Sequence, residues 1–349
     1  MVGKLIESLE AAPCHNGPLT AIVSSPDCKC VATGSSDSTI ILWDSYGRAY
    51  EEWSHPSGRV YSLAFSPNSR YLVSAGIEPE LIVWDLRQGA CQVATLKGHY
   101  GPVNSCAWSP DGTFIASGAD DRTLRLWEAQ SFQQLPLFKG SHNDHISFLC
   151  FSPDGHWIAS TGSRRCYIWS VTEGSLHNIL RGHTRGLNAV AFDPSSTCVA
   201  TASGDCTVRI WNVRTGEPHV VLQQYADSVR DISFSPDGRA VLSASDRTVK
   251  IWDASTGLMI SSLEGHSAVV WTARFSPCGK YVASASSDQT VRVWRTNDES
   301  CIAALSEHKD WVEQVAFSPD GKTLSSGARN GTVIIRQMAN IIAADRPTL

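Results

Sequence analysis

The chain has 349 residues, 42% of them apolar and 18% charged, a mixture that can fill a core and excludes a disordered chain. A formal net charge of −5, with no dense run of Lys and Arg, excludes a surface built to neutralise a line of phosphates, so no direct nucleic-acid partner is expected. Eleven cysteines at irregular spacing exclude a disulfide framework in a chain of this size and read as reduced thiols, which points to the cytoplasm or nucleus.

From the N-terminus, Met1 to Glu10 carries acidic residues where a secretory signal has its apolar stretch, and no later window reaches the ~20 apolar residues of a membrane-spanning helix. Neither export nor a membrane is expected. Thereafter one pattern recurs. An aliphatic-rich strand ends on Trp43, Trp84, Trp127, Trp169, Trp211, Trp252 and Trp294, with gaps of 41, 43, 42, 42, 41 and 42 residues. One further step of 42 lands on Arg336, after Thr332-Val-Ile-Ile, so an eighth unit exists with its tryptophan replaced.

Within the units a Ser-Pro-Asp-Gly turn stands intact at 109–112, 152–155, 235–238 and 318–321. Proline presets the turn and Asp-Gly tolerates its left-handed position. Period-2 runs such as Val312-Glu-Gln-Val-Ala-Phe317 flank it, so each unit is several short antiparallel strands. One such sheet cannot bury both of its faces, so the units must stack, and a fixed period of 40 to 45 residues with Gly-His and Trp-Asp ends is the signature of a propeller.

Gly98-His99, Gly182-His183 and Gly265-His266 at unit starts, with Trp43-Asp44, Trp84-Asp85 and Trp252-Asp253 at unit ends, make the chain resemble the WD-repeat family from about residue 3 to 336. The resemblance implies an all-β fold, a single closed β-propeller of eight four-stranded blades filling 1–349. Residues 11–336 form the repeats and 337–349 a C-terminal tail. Gly257-Leu-Met-Ile-Ser-Ser-Leu-Glu264 has the form of a blade's outer strand, and Gly3-Lys-Leu-Ile-Glu-Ser-Leu-Glu10 repeats it. Residues 3–10 are thus expected to complete the last blade, with Ile341-Ile342 the rival for that slot.

Eleven histidines invite a catalytic or metal reading, but the polar residues recur once per unit, and a group repeated in several blades is not one active site. The resemblance makes them a structural relay of histidine, hydroxyl, aspartate and indole: His99, Ser117, Asp121, Trp127; His183, Thr201, Asp205, Trp211; His266, Ser284, Asp288, Trp294; and in unit 1 His15, Thr33, Asp37, Trp43. Cys28-Lys-Cys30 lacks a second pair at zinc spacing, so neither metal nor cofactor is expected. The even units depart from the set. Unit 2 has Gly76-Ile-Glu-Pro-Glu80, unit 4 has Gly162-Ser-Arg-Arg165, unit 6 has Tyr225 for the histidine, and unit 8 has Asn330 and Arg336.

In such a ring the residues flanking the first aliphatic of each inner strand border the central channel, and they are read as free to vary. Among them stand Arg59, Tyr61, Arg230, Trp271, Trp311 and Glu313, with Asp120 and Arg329 at the following turns. Aromatic and arginine side chains make binding hot spots, so this arc is the expected surface for a protein or peptide partner of a non-enzymatic scaffold. An alternative is a substrate receptor of a cullin-type ubiquitin ligase, since Trp84-Asp-Leu-Arg87, echoed by Trp211-Asn-Val-Arg214, is similar to an adaptor-docking signature. An enzyme would need acids or histidines at one level of the channel, and only His145, Asp120 and Glu313, on three separate units, qualify.

Overall fold

The computed structural model describes residues 15–344 apart from Ser57, Gln88, Leu137, Lys139, Ser141 and Gln224. The expected closing strand 3–10 and the end of the tail lie outside the described residues. Eight antiparallel sheets follow one another along the chain, each beginning at the channel and stepping outward in sequence order. Blade 1 is typical, with strands Leu19–Ser24, Cys30–Ser35, Thr39–Asp44 and Ala49–Ser54.

The innermost strands of blades 2 to 8 are Val60–Phe65, Val103–Trp108, Phe148–Phe151, Leu187–Phe192, Val229–Phe234, Val270–Phe275 and Val312–Phe317. Each packs on the next, and the last packs on Leu19–Ser24, which closes the ring. The hydrophobic cores lie between blades. Ala32, Ile40 and Leu42 of blade 1 join Val60, Leu63 and Trp84 of blade 2, and Val333 of blade 8 joins Leu19, Ile22 and Trp43 of blade 1. The tryptophans that mark the repeat are its largest buried side chains, and each removes roughly 200 Å² from water, an upper bound of about 5 kcal/mol.

The second strand of each blade is buried almost throughout and is built of small residues, as in Tyr281–Ser286, Ala-rich between its ends. Large side chains there would hold neighbouring blades apart. The Ser-Pro-Asp-Gly turns form as their chemistry dictates: Ser109 Oγ donates to Asp111 Oδ1 at 2.6 Å, and Gly112 takes φ +76°. Where the glycine is replaced, Cys28, Ser69 and Ser196 hold the same left-handed conformation.

Two blades differ from the expected four strands. Blade 8 has three among the described residues, Val312–Phe317, Thr323–Ala328 and Val333–Gln337, and Ile341-Ile342 sits on a helix, Met338–Ala344, rather than on a strand. Ile341 is buried among Ile302, Leu324 and Met338, so the helix seals the side of blades 7 and 8. Blade 3 also has three strands among the described residues, whose bridge between Trp127 and Gln134 is what they show of a fourth. Its outer segment carries Pro136, which has no N–H to offer a ladder, and Phe138 turns inward against Trp169 of blade 4.

Candidate partner-binding face

The relay residues meet in blades 3, 5 and 7. Trp127 Nε1 donates to Ser117 Oγ at 3.0 Å, Ser117 Oγ lies 2.8 Å from His99 Nε2, and His99 Nδ1 lies 2.9 Å from Asp121 Oδ2. Blade 5 repeats this through Trp211, Thr201, His183 and Asp205, and blade 7 through Trp294, Ser284, His266 and Asp288. Burial holds the three imidazoles below their ordinary pKa, so each is neutral. Burial alone would raise Asp121, but hydrogen bonds from His99, Thr123 and the Tyr100 amide outweigh it and hold the carboxyl well below its usual range. A carboxylate only accepts, which fixes the tautomer: Nδ1 carries the proton, Nε2 accepts, and the hydroxyl donates to it. In blade 1 His15 reaches Thr33 at 2.8 Å, but its Nδ1 turns to Thr39 at 2.6 Å and stands 3.6 Å from Asp37.

Blades 2, 4 and 6 keep the indole-to-hydroxyl bond, blade 8 has Arg336 in place of the indole, and all four lose the relay aspartate. His55 bonds Ser74, and Tyr225 Oη donates to Ser243 at 2.7 Å in place of a histidine. Blade 4 seats His142, whose Nδ1 meets the Asp144 carbonyl at 2.6 Å, and blade 8 pairs Arg336 with Glu307 at 2.6 Å. The nitrogens His55 Nδ1, His142 Nε2 and His308 Nδ1 are buried with no hydrogen-bond partner among the described residues.

Around the channel mouth the expected arc divides. Trp271 and Trp311 stack with ring centroids 6.3 Å apart, 29° from parallel. Arg230 covers the outer face of Trp271 at 5.0 Å, and Arg329 covers Trp311 at 4.9 Å, so a ladder of guanidinium, indole, indole and guanidinium spans blades 6, 7 and 8. Backbone geometry builds it. The Arg329 amide donates to the Trp311 carbonyl at 2.8 Å, which fixes the turn over that indole, and Trp271 Nε1 donates to Ser287 Oγ at 2.7 Å. Trp311 remains 39% exposed. Arg59 and Tyr61 are on blade 2, with blade 1 between them and Trp311.

Beside the ladder opens a cavity of about 480 Å³ whose wall includes Arg230, Trp271, Glu313, Arg274, Asn188 and Phe148. Burial raises the Glu313 carboxyl above its ordinary value, against the pull of Arg329. Phe148, Arg274 and Asp231 were not legible in the sequence: Phe148 is one more aromatic in a strand pattern, and Arg274 pairs with Asp231 across 43 residues of chain.

The reading of the flanking positions as free to vary is corrected at three of them. Thr20 Oγ1 donates to the Val60 carbonyl at 2.7 Å, Asn104 Nδ2 to the Ile146 carbonyl at 2.9 Å, and Asn188 Nδ2 to the Val229 carbonyl at 2.7 Å. Each clips its blade to the start of the next inner strand. Blade 7 carries Trp271 in that position and stacks on its neighbour instead. Of the three acid–base candidates, Asp120 accepts from Asn104 at 2.7 Å on blade 3, His145 is exposed on blade 4 and Glu313 lies on blade 8. Arg87 and Arg214 are exposed after the third strands of blades 2 and 5, and Asp85 is occupied by Arg70 at 2.7 Å. Among the described residues no three His, Cys, Asp or Glu side chains gather as a metal-holding group, and no helix is long and apolar enough to cross a membrane.

A family model described as WD domain, G-beta repeat, matches eight segments: 3–44, 50–85, 90–128, 133–170, 174–212, 216–253, 257–295 and 299–336. The crystal structure of the computationally designed Ika8 protein superposes with a TM-score of 0.82 at 26% identity, covering 93% of this chain and 97% of that one. Among curated proteins, the 66 kDa stress protein of Physarum polycephalum is 35% identical over 92 residues, 26% of this chain and 15% of the relative. The nuclear distribution protein PAC1-2 of Uncinocarpus reesii is 42% identical over 79 residues, 23% of this chain and 17% of the relative. The small ribosomal subunit protein RACK1y of Oryza sativa subsp. japonica is 38% identical over 72 residues, 21% of each chain. The matched stretches thus span about a fifth or less of these relatives' lengths.

Proposed function

The chain belongs to the WD domain, G-beta repeat family, and from that premise we propose that it is a non-enzymatic scaffold that holds a protein or peptide on the channel face of blades 6 to 8. The single observation that carries this reading is the Arg230, Trp271, Trp311, Arg329 ladder beside the 480 Å³ cavity. Two indoles prestacked between guanidinium groups are rigid and amphipathic, so little side-chain entropy is lost when a partner covers them. Glu313 and Arg274 on the same wall supply the polar contacts that fix a peptide's register. Arg59 and Tyr61 extend the surface across the channel mouth as a second contact. Within this reading the relay residues are structural, and the protein works in the cytoplasm or nucleus.

The test is affinity purification of the wild-type chain beside a Trp271→Ala, Trp311→Ala variant, with thermal melts of both. Partners lost from an equally stable variant support the channel face. Unchanged partners move recognition elsewhere, and capture of a cullin adaptor abolished by Arg87→Ala would favour the ligase-receptor alternative.

A further inference from the structure

Six of the eight turns between the second and third strands of a blade carry a carboxylate: Asp37, Glu78 and Glu80, Asp121, Asp205, Asp246 and Asp288. Blade 8 has Asn330 there. Blade 8 carries the single Arg329 in this turn, over Trp311, and blade 4 carries two arginines, in Ser163-Arg164-Arg165. These two arginines meet Arg181, from the segment leading into blade 5, along a cleft of about 610 Å³ that is also lined by Asn143, Asp144 and His183. Three guanidinium groups therefore face one carboxylate in a protein whose overall charge is negative.

Several arginines elsewhere have a visible structural task. Arg70 holds Asp85, Arg274 holds Asp231, Arg336 holds Glu307, and Arg209 and Arg292 lie over the indoles of their blades. The side chains of Arg164, Arg165 and Arg181 have no hydrogen-bond or ion-pair partner among the described residues, and Arg164 and Arg181 are exposed. Three like charges gathered around the single Asp144 carboxylate oppose folding, so the cluster is not explained by stability. The guanidinium fork matches the oxygens of a phosphate two at a time, and three forks around one cleft exceed what a single carboxylate uses.

We propose that the Arg164, Arg165, Arg181 cleft binds the phosphate of a phosphorylated serine or threonine in a partner protein. A protein segment fits better than a polyanion or a lipid surface, because the positive charge is confined to one cleft and the chain as a whole is acidic. Asn143 and Asp144 on the rim can then bond the backbone beside the phosphorylated residue. This site lies on blades 4 and 5 and does not depend on the tryptophan ladder of blades 6 to 8.

The test uses the full chain and an immobilised peptide library with a central phosphoserine or phosphothreonine and random flanks, beside its unphosphorylated twin. The expected result is retention at least ~10-fold stronger on the phosphorylated library, weakening as salt rises, and lost at least ~10-fold in Arg164→Ala, Arg181→Ala. Arg164→Lys, Arg181→Lys, which keeps the charge and removes the forks, is expected to show most of that loss. Should the alanine variant melt early, the lysine variant reads the same contacts. Trp271→Ala, Trp311→Ala retains the phosphate-dependent binding, which separates this site from the channel face. Equal retention of both libraries, retention unchanged in both arginine variants, or binding only of inorganic phosphate or of phosphatidylserine vesicles would overturn the proposal.

Discussion

Asp231, buried on the inner strand of blade 6, accepts a hydrogen bond from Thr272 Oγ1 of blade 7 at 2.6 Å. The same carboxylate takes the Ala273 amide at 3.1 Å and the Arg274 guanidinium, so one acidic side chain ties two blades together at the channel wall. Asp231→Ala leaves a buried amide and hydroxyl without an acceptor and releases a guanidinium that is itself 39% exposed. Discounted for that exposure, the loss is about 2–3 kcal/mol, read as a lower Tm, while Thr272→Val costs about 1 kcal/mol. Equal melting of wild type and Asp231→Ala would refute the tie.

Acid should loosen blades 2, 4 and 8 first. Burial depresses His55, His142 and His308 to about 4 from an ordinary 6.5, and it outweighs the opposing pull of Asp144 on His142 and of Glu307 on His308. The unfolded chain therefore binds more protons between pH 6.5 and 4. Stability is full above this window and falls as the pH drops through it, by about 2 kcal/mol for each such histidine at pH 5. In the odd blades Asp205 is held down at about 2, where hydrogen bonds from Thr207, the Thr184 amide and His183 overcome the opposing effect of burial. Its contribution persists to about pH 4 and is lost toward pH 2. Melts from pH 8 to pH 4 should show a falling Tm, and His55→Gln with His308→Gln should flatten the curve.

Ring closure depends on a residue without a side chain. A Cβ on Gly327 of blade 8 would stand 1.9 Å from Leu19 Cδ2 of blade 1, and one on Gly76 would meet the Arg59 carbonyl at 1.9 Å. Leu19 can swing aside, whereas a backbone carbonyl cannot. Gly76→Ala is therefore expected to cost more than Gly327→Ala, at least about 2 kcal/mol against about 1, and Gly327→Val should open the seam between blades 8 and 1. Hydrogen exchange at Leu19–Ser24 reads the seam directly: protection equal to wild type in Gly327→Val would show that closure tolerates bulk.

Much of this architecture was legible because it repeats. Trp43 to Trp294 recur at nearly constant spacing, and a relay such as His183, Thr201, Asp205 and Trp211 keeps its internal offsets, so one unit teaches the next. What could not be read depends on one blade meeting another. Asn188 looks like a free rim residue until the Val229 carbonyl arrives beside it, and nothing local joins Asp231 to Arg274. Trp271 and Trp311 were visible as unusual residues at equivalent positions, but their stacking follows from inter-blade spacing, which no strand pattern encodes. The fourth strand of blade 3 was expected from the period, and among the described residues it is reduced to one bridge, where Pro136 interrupts the ladder.

The period also places the same strain four times over. In blades 1, 3, 5 and 7 the residue after the turn aspartate is left-handed, with φ of 73° at Ser38, 66° at Arg122, 65° at Cys206 and 69° at Gln289, and none of them is glycine. A β-carbon in that conformation costs about 1–2 kcal/mol, while glycine loses up to about 1 kcal/mol in added freedom of the unfolded chain. Gln289 is exposed, so removing its side chain forfeits little packing. Gln289→Gly should therefore stabilise the protein by up to about 1 kcal/mol, and Gln289→Val should destabilise it, since a branched β-carbon is the least tolerant of positive φ. A denaturation midpoint that falls in the glycine variant would mean that the turn is held by the Asp288 bonds to Thr290, at 2.9 and 2.6 Å, with no strain left to relieve.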